Sequence, residues 1–165
     1  MDKRRLNDKK NYTRLSKLQL SMRFWEVEMF SFRRAKAAHL RLGQKGEAIA
    51  KAALMERKMD FLCQNYKCTY GEIDLLFREN GILRIVEVKT RHRFHDYMPA
   101  DAVTHKKRVN IIKSAECYLK EIGNTELPVR FDIVEVIFDG KLPAEVNLIP
   151  EAFDKGELTR GKLLD

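Results

Sequence analysis

Two apolar segments joined by Asn80-Gly81 constrain the fold of this chain more than any other feature. Residues 72–78 precede the pair and residues 82–90 follow it, and both segments are rich in aliphatic side chains. An Asn-Gly pair between two such segments is the strongest short-range signal for a β-hairpin with a two-residue turn. The sequence therefore predicts two antiparallel strands in a central, buried position.

The predicted register brings charged side chains together. A two-residue turn places Asp74 opposite Glu87 and Glu72 opposite Lys89. All four side chains should share one face, because residues two apart in a strand point the same way. Two carboxylates directly opposite each other repel, and burying them without a cation is costly. Either Lys89 or a divalent metal ion must offset this repulsion.

A hard cation suits these acids. Mg²⁺ and Mn²⁺ take oxygen ligands, commonly one or two carboxylates with water and substrate phosphate. We expect Asp74 and Glu87 to be ligands, and the carbonyl of Val88 could add a third oxygen. Lys89 would then orient the attacking water or stabilise charge at the scissile phosphate. The alternative is a surface ladder in which Glu72 pairs with Lys89 and the other acids are exposed; the aliphatic flanks favour the metal site.

Two further charged residues lie on predicted helices. Glu47 shares a stripe with small and apolar residues of a helix predicted over residues 35–59, so it could face the sheet and serve as a further ligand. Gly43 and Gly46 lie on one face of that helix and would allow close backbone approach. Lys107 shares a stripe with apolar residues at the start of a second helix, so it would point toward the sheet or the substrate. A partly exposed glutamate and a solvated lysine are the alternatives.

The remaining elements complete an α/β order. The second helix should begin after Thr104, a good N-cap residue, and end at Gly123. Further strands are predicted over residues 60–68 and 129–138, with a short edge strand over 146–149. The resulting order, αβββαβ, predicts a mixed central sheet flanked by helices.

Excess positive charge is confined to the first quarter of the chain. Residues 1–41 contain 12 Lys and Arg against 4 Asp and Glu, whereas residues 42–165 contain 20 of each. We therefore divide the chain into a basic extension over 1–34, partly disordered or helical, a folded domain over 35–153 and a C-terminal tail over 154–165. The extension suits a polyanion, either nucleic acid or an anionic membrane surface; a merely solubilising extension is the alternative.

Composition also argues against several classes of protein. Cys63, Cys68 and Cys117 give neither a disulfide framework nor the spacing of a zinc site, so we expect free thiols. No apolar segment approaches the roughly 20 residues that a membrane span needs, and the N-terminus lacks a secretory signal pattern. We expect a cytoplasmic protein.

Several motifs resemble the YraN-like family of bacterial proteins. They are Leu42-Gly43-Gln44-Lys45-Gly46-Glu47, Gly71-Glu72-Ile73-Asp74-Leu75, Val86-Glu87-Val88-Lys89-Thr90-Arg91, Arg130-Phe131-Asp132 and Ile149-Pro150-Glu151-Ala152-Phe153. That family is similar in fold to restriction endonucleases and archaeal Holliday-junction resolvases. The resemblance implies a restriction-endonuclease-like PD-(D/E)xK core, with Asp74 as the first acid and Glu87-Val88-Lys89 as the ExK element. Ile73 stands where that motif has proline.

The resemblance implies a metal-dependent nuclease-like protein that hydrolyses phosphodiester bonds in DNA, with branched or damaged DNA as candidate substrates and Mg²⁺ or Mn²⁺ as cofactor. The residues expected to carry the reaction are Asp74, Glu87, Lys89 and Glu47. Those expected to hold the metal are Asp74, Glu87, Glu47 and Val88. Arg91 and Lys107 would contact nucleic acid, and resolvases suggest a homodimer by analogy. The open alternatives are a nucleic-acid-binding module without turnover and a protein-interaction module using a helical stripe at residues 18–32.

Overall fold

A computed structural model describes residues 17–93 and 103–160 of the chain. It contains two compact units, Met1–His39 and Leu40–Asp165. Helix α1, Lys17–Glu56, has residues in both units, so the helical segments predicted on either side of residue 34 form one element. Residues 1–16 of the basic extension, and the side chains of its helical stripe, lie outside the description.

The second unit is built on a five-stranded mixed sheet. Its strands are β1 (Asp60–Cys68), β2 (Gly71–Glu79), β3 (Ile82–His92), β4 (Val129–Asp139) and β5 (Leu142–Phe153), arranged in chain order across the sheet. Helix α2, His105–Glu121, connects β3 to β4. These two strands are parallel, so the connection between them is a crossover. The other three neighbouring pairs are antiparallel. The predicted mixed α/β fold is confirmed, and it is compatible with a restriction-endonuclease-like core.

The hairpin has the register that its Asn-Gly turn predicts. Pairing runs from Glu79 with Ile82 to Leu75 with Val86. Both turn residues have positive φ, 50° and 78°, as a two-residue turn matching the twist of the strands requires. The regular pairing of β2 with β3 ends at Leu75, so Asp74 lies just beyond it, although β2 remains paired with β1 as far as Gly71.

Each face of the sheet carries its own apolar cluster. The cluster between the sheet and α1 contains Ala50, Leu54, Met59, Leu75, Phe77, Val86, Val134, Val136 and Phe138. The cluster between the sheet and α2 includes Ile73, Leu76, Leu83, Ile85, Ile111, Ile112, Ala115, Leu119, Phe131 and Ile133. The two helices therefore cover opposite faces, and the central strands are buried on both sides.

Helix α2 begins and ends where the sequence predicts. The Thr104 side chain accepts a hydrogen bond from the Lys107 backbone N–H at 3.3 Å, which caps the N-terminus. Gly123, with φ of 66°, follows the C-terminal end in the left-handed conformation that glycine adopts readily. These two residues mark the two ends of the helix.

The last strand is longer than predicted. The sequence predicts an edge strand over residues 146–149, whereas β5 covers Leu142–Phe153. Pro143 and Pro150 interrupt the apolar pattern, but an edge strand tolerates proline because one row of its N–H groups has no partner strand. Beyond β5, the short helix α3 (Glu157–Arg160) places the buried Glu157 carboxylate within 3.5 Å of Arg108 on α2.

Candidate active site

Asp74 is a buried acid at the end of the paired hairpin. Its side chain is 9% exposed, and Oδ2 accepts a hydrogen bond of 2.7 Å from the backbone N–H of Val88. Burial, with smaller contributions from the nearby charges of Glu87 and Glu47, raises the pKa of Asp74 to about 7, against the opposing effects of the Val88 N–H and Lys107. The Asp74 carboxyl group therefore titrates near neutral pH.

Glu87 is buried more deeply and meets two lysines. Its side chain is 3% exposed. Oε1 accepts a hydrogen bond from Lys89 Nζ at 2.9 Å, and Oε2 lies 3.3 Å from Lys107 Nζ. The second contact is an ion pair without hydrogen-bond geometry, because Oε2 has no hydrogen-bond partner within the described part of the chain. Two cations thus share one buried carboxylate.

Glu47 approaches the same region from α1. It is partly buried, and Asn65 on β1 forms a hydrogen bond with its side chain. Burial raises the pKa of Glu47; the Asn65 bond opposes this, while the charges of Glu72 and Glu87 add to it. The three acids Glu47, Asp74 and Glu87 are therefore close enough to influence one another electrostatically.

Glu72 and Arg91 form ion pairs with residues other than Asp74 and Glu87. Glu72 is exposed and lies 3.8 Å from Lys67 on β1, so the predicted pairing of Glu72 with Lys89 is wrong. The physical reason is that regular β2–β3 pairing ends before Glu72, and Lys89 turns to Glu87 instead. Arg91 forms a 2.5 Å hydrogen bond with the buried Glu135 of β4, so its guanidinium is held against the sheet.

The donor set suits a hard divalent cation. Asp74 and Glu87 offer buried carboxylate oxygens, and the unbonded Glu87 Oε2 is the kind of atom that a metal ion would satisfy. Across residues 17–93 and 103–160, no three His, Cys, Asp or Glu side chains are placed to hold a metal ion jointly. The site thus supplies two protein carboxylates, and Mg²⁺ commonly uses one or two together with water and phosphate.

Two residues of this region were not predicted from the sequence. Asn65 has a positive φ of 54°, which asparagine tolerates better than most residues, but nothing in the sequence links it to Glu47. Glu135 is 3% exposed and also accepts a hydrogen bond from Asn147 at 3.3 Å. The sequence did contain one indication of Glu135, because its acidic side chain lies within the apolar segment 129–138.

No helix within the described ranges is long and apolar enough to cross a membrane. The three cysteines are free thiols, as their spacing predicts.

Comparison with known proteins identifies the family. The model of "Uncharacterised protein family UPF0102" matches residues 46–136, which include the hairpin, α2 and most of β4. A UPF0102 protein of Geobacter metallireducens is 36% identical over 113 residues, covering 68% of this chain and 92% of that protein. A UPF0102 protein of Caldicellulosiruptor bescii is 35% identical over 114 residues, covering 68% and 96%. One from Lachnoclostridium phytofermentans is 39% identical over 113 residues, covering 68% and 92%.

The alignments cover 92–96% of each of these relatives, and the residues matched by the family model include Glu47, Asp74, Glu87, Lys89 and Lys107. The chain therefore belongs to the UPF0102 family, the YraN-like group that its motifs resemble.

Proposed function

We propose that this protein is a metal-dependent nuclease that hydrolyses phosphodiester bonds in DNA, with branched or damaged DNA as candidate substrates. The observation that carries the proposal is the pair of buried acids, Asp74 and Glu87, with Lys89 on the second of them. Such a pair is costly to bury and is not a stable core arrangement by itself. The energetic cost of burying both acids is explained if they bind a cation.

Each residue has a role that follows from its contacts. Asp74 and Glu87 would hold Mg²⁺ or Mn²⁺, which supplies Lewis-acid activation of a phosphodiester and of water. The Val88 N–H fixes the Asp74 carboxylate at 2.7 Å, and Lys89 keeps a positive charge beside Glu87. That charge would stabilise the negative charge that develops at the scissile phosphate. Glu47, oriented by Asn65, adds negative potential from α1.

Metal binding tests the proposal most directly. Calorimetric titration with Mn²⁺ and Mg²⁺ should show binding to the wild-type protein and no binding to Asp74→Asn. Glu126→Gln, which removes an exposed acid outside the site, is the matched control and should bind as wild type does. Added metal should raise the melting temperature of wild type and of the control, because a ligand that binds only the folded state stabilises it.

Cleavage assays then separate the enzyme from its alternatives. Wild type with Mn²⁺ should cut linear duplex or four-way junction DNA, and Asp74→Asn and Lys89→Met should not. Metal and DNA binding without cleavage would favour a nucleic-acid-binding module. A complete lack of Mn²⁺ and Mg²⁺ binding, with and without DNA, would overturn the proposal. Sedimentation of the same samples would test the homodimer that resolvases suggest.

A further inference from the structure

Lys107 is paired with one acid of the site and acts electrostatically on the other. Its Nζ lies 3.3 Å from Glu87 Oε2, and its charge also lowers the pKa of Asp74. The side chain is 33% exposed, whereas that of Glu87 is 3% exposed. A partly solvated ammonium is therefore paired with a buried carboxylate.

The two lysines on Glu87 are not equivalent. Lys89 Nζ donates a hydrogen bond of 2.9 Å to Oε1 from the same strand. Lys107 meets Oε2 at a longer distance, and that oxygen has no hydrogen-bond partner among the residues described. Lys107 is thus held by charge alone, which makes it the easier of the two cations to displace.

The backbone around Lys107 also favours an anion over a cation. Lys107 is in the first turn of α2, where unpaired N–H groups and the helix dipole create positive potential. That turn contains no acidic residue. The Lys107 ammonium therefore depends on Glu87 for compensation, and it would need another anion if Glu87 were occupied by a metal ion.

We propose that Lys107 is a resident counter-ion of Glu87, which a divalent metal displaces and which then pairs with a phosphate of the nucleic acid. This inference rests on the proposed function, because it requires the metal to bind at Glu87. It assigns Lys107 two effects of opposite sign: Lys107 weakens metal binding in the absence of DNA and strengthens DNA binding once metal is present.

Calorimetry with Mn²⁺ and no DNA tests the first effect. Lys107→Met should bind Mn²⁺ more tightly than wild type, by roughly two- to fivefold, as for the loss of a partly exposed ion pair. The matched control is Lys106→Met, which removes an exposed lysine from the adjacent position of α2 and should leave Mn²⁺ affinity unchanged. Lys107→Gln serves as a second variant if the methionine variant does not fold, as judged by thermal melts.

Fluorescence anisotropy with a short DNA duplex in the presence of Ca²⁺ tests the second effect. Lys107→Met should bind the duplex more weakly, and the slope of log affinity against log salt concentration should fall in magnitude by about 0.9, the value for one phosphate contact. Lys106→Met reports the effect of losing a lysine that does not contact Glu87.

The outcomes separate this inference from the proposed function. Mn²⁺ binding that is equal in wild type and Lys107→Met, or weaker in the variant, overturns the role of Lys107 and leaves the metal site intact. An unchanged salt slope overturns the phosphate contact. Absence of Mn²⁺ binding in wild type and both variants overturns the proposed function, and the Lys107 inference with it.

Discussion

Asp74 is an acid that the folded protein keeps protonated over much of the acidic range. Its pKa is about 7 in the fold, mainly because of burial, against 3.8 for an ordinary aspartate. The unfolded chain therefore releases this proton at lower pH than the folded protein does. Between the two values the folded state binds more protons, so this group makes stability fall as pH rises from about 4 to about 7.

Asp74→Asn should remove this dependence. The amide keeps an acceptor for the Val88 N–H and removes the charge, so the variant should be as stable as wild type near pH 4 and more stable above pH 7. Each unit of pKa shift corresponds to about 1.4 kcal/mol, which predicts a difference on the order of a few kcal/mol at pH 8.

Urea unfolding of wild type and Asp74→Asn from pH 4 to 8, with chelator present, measures this difference. Titrating groups outside the site are common to both proteins and cancel, so the difference reports Asp74 together with its effect on Glu47 and Glu87. A constant difference across that range would show that Asp74 is ionised throughout.

At the scale of the element, α1 and β3 meet unusually closely. A Cβ added to Gly46 would lie 1.9 Å from Thr90 Oγ1 and 3.1 Å from Thr90 Cβ, so any larger residue forces the threonine to move. A Cβ added to Gly43, three residues earlier, would have no atom within 4 Å in the described part of the chain. The sequence predicted close approach at both glycines, and the structure shows it at Gly46 alone. This contact brings the neighbouring Glu47 to the sheet.

Alanine should have opposite effects at these two glycines. Gly46→Ala should destabilise the protein by about 1–3 kcal/mol through overpacking. Gly43→Ala should be neutral or stabilising by up to about 1 kcal/mol, because alanine has the higher helix propensity. Thermal and urea unfolding of both variants would measure the effects. Thr90→Ala should recover part of the Gly46→Ala loss in the double variant; equal effects at the two glycines would contradict the close contact.

The hairpin shows where prediction from sequence succeeds and where it stops. The Asn-Gly turn determined the register correctly as far as Leu75 with Val86, because backbone geometry in a short turn leaves little freedom. Extending that register to Glu72 and Lys89 failed. The point at which two strands cease to pair depends on side-chain contacts within the hairpin, here the Asp74 side chain on the Val88 N–H. The geometry of the turn does not determine such contacts.

Across the whole molecule, the excess positive charge and the candidate catalytic residues occupy different parts of the chain. Residues 1–34 contain 10 Lys and Arg against 4 Asp and Glu, while the candidate site lies entirely beyond residue 40. Proximity of Lys107 to Glu87 likewise depends on the whole fold, since Lys107 is 20 positions later in the chain, in the helix that connects β3 to β4. The apolar residues that share a helical stripe with Lys107 predicted that its side chain points toward the sheet or the substrate, but they did not identify Glu87 as its partner.

Deleting residues 1–34 should weaken binding to all nucleic acids and reduce its salt dependence, because counterion release scales with the number of phosphates neutralised. Cleavage at saturating substrate should be retained. Filter binding at several salt concentrations would measure the slope. A full-length variant with Gln at five basic positions separates charge from chain length: Lys3, Arg4, Arg5, Lys9 and Lys10. An unchanged slope in both proteins would mean that the extension does not contact the backbone phosphates.

The hydrogen bond from Val88 to Asp74 gives the protein a built-in spectroscopic probe. Most amides in a central strand donate to a backbone carbonyl, whose charge does not change with pH, but the Val88 amide donates to a carboxyl group that titrates near pH 7. Its ¹H and ¹⁵N chemical shifts should therefore follow the protonation of Asp74 directly. In a ¹⁵N-labelled sample this single resonance would report the state of the site without any substrate, and in Asp74→Asn it should no longer titrate.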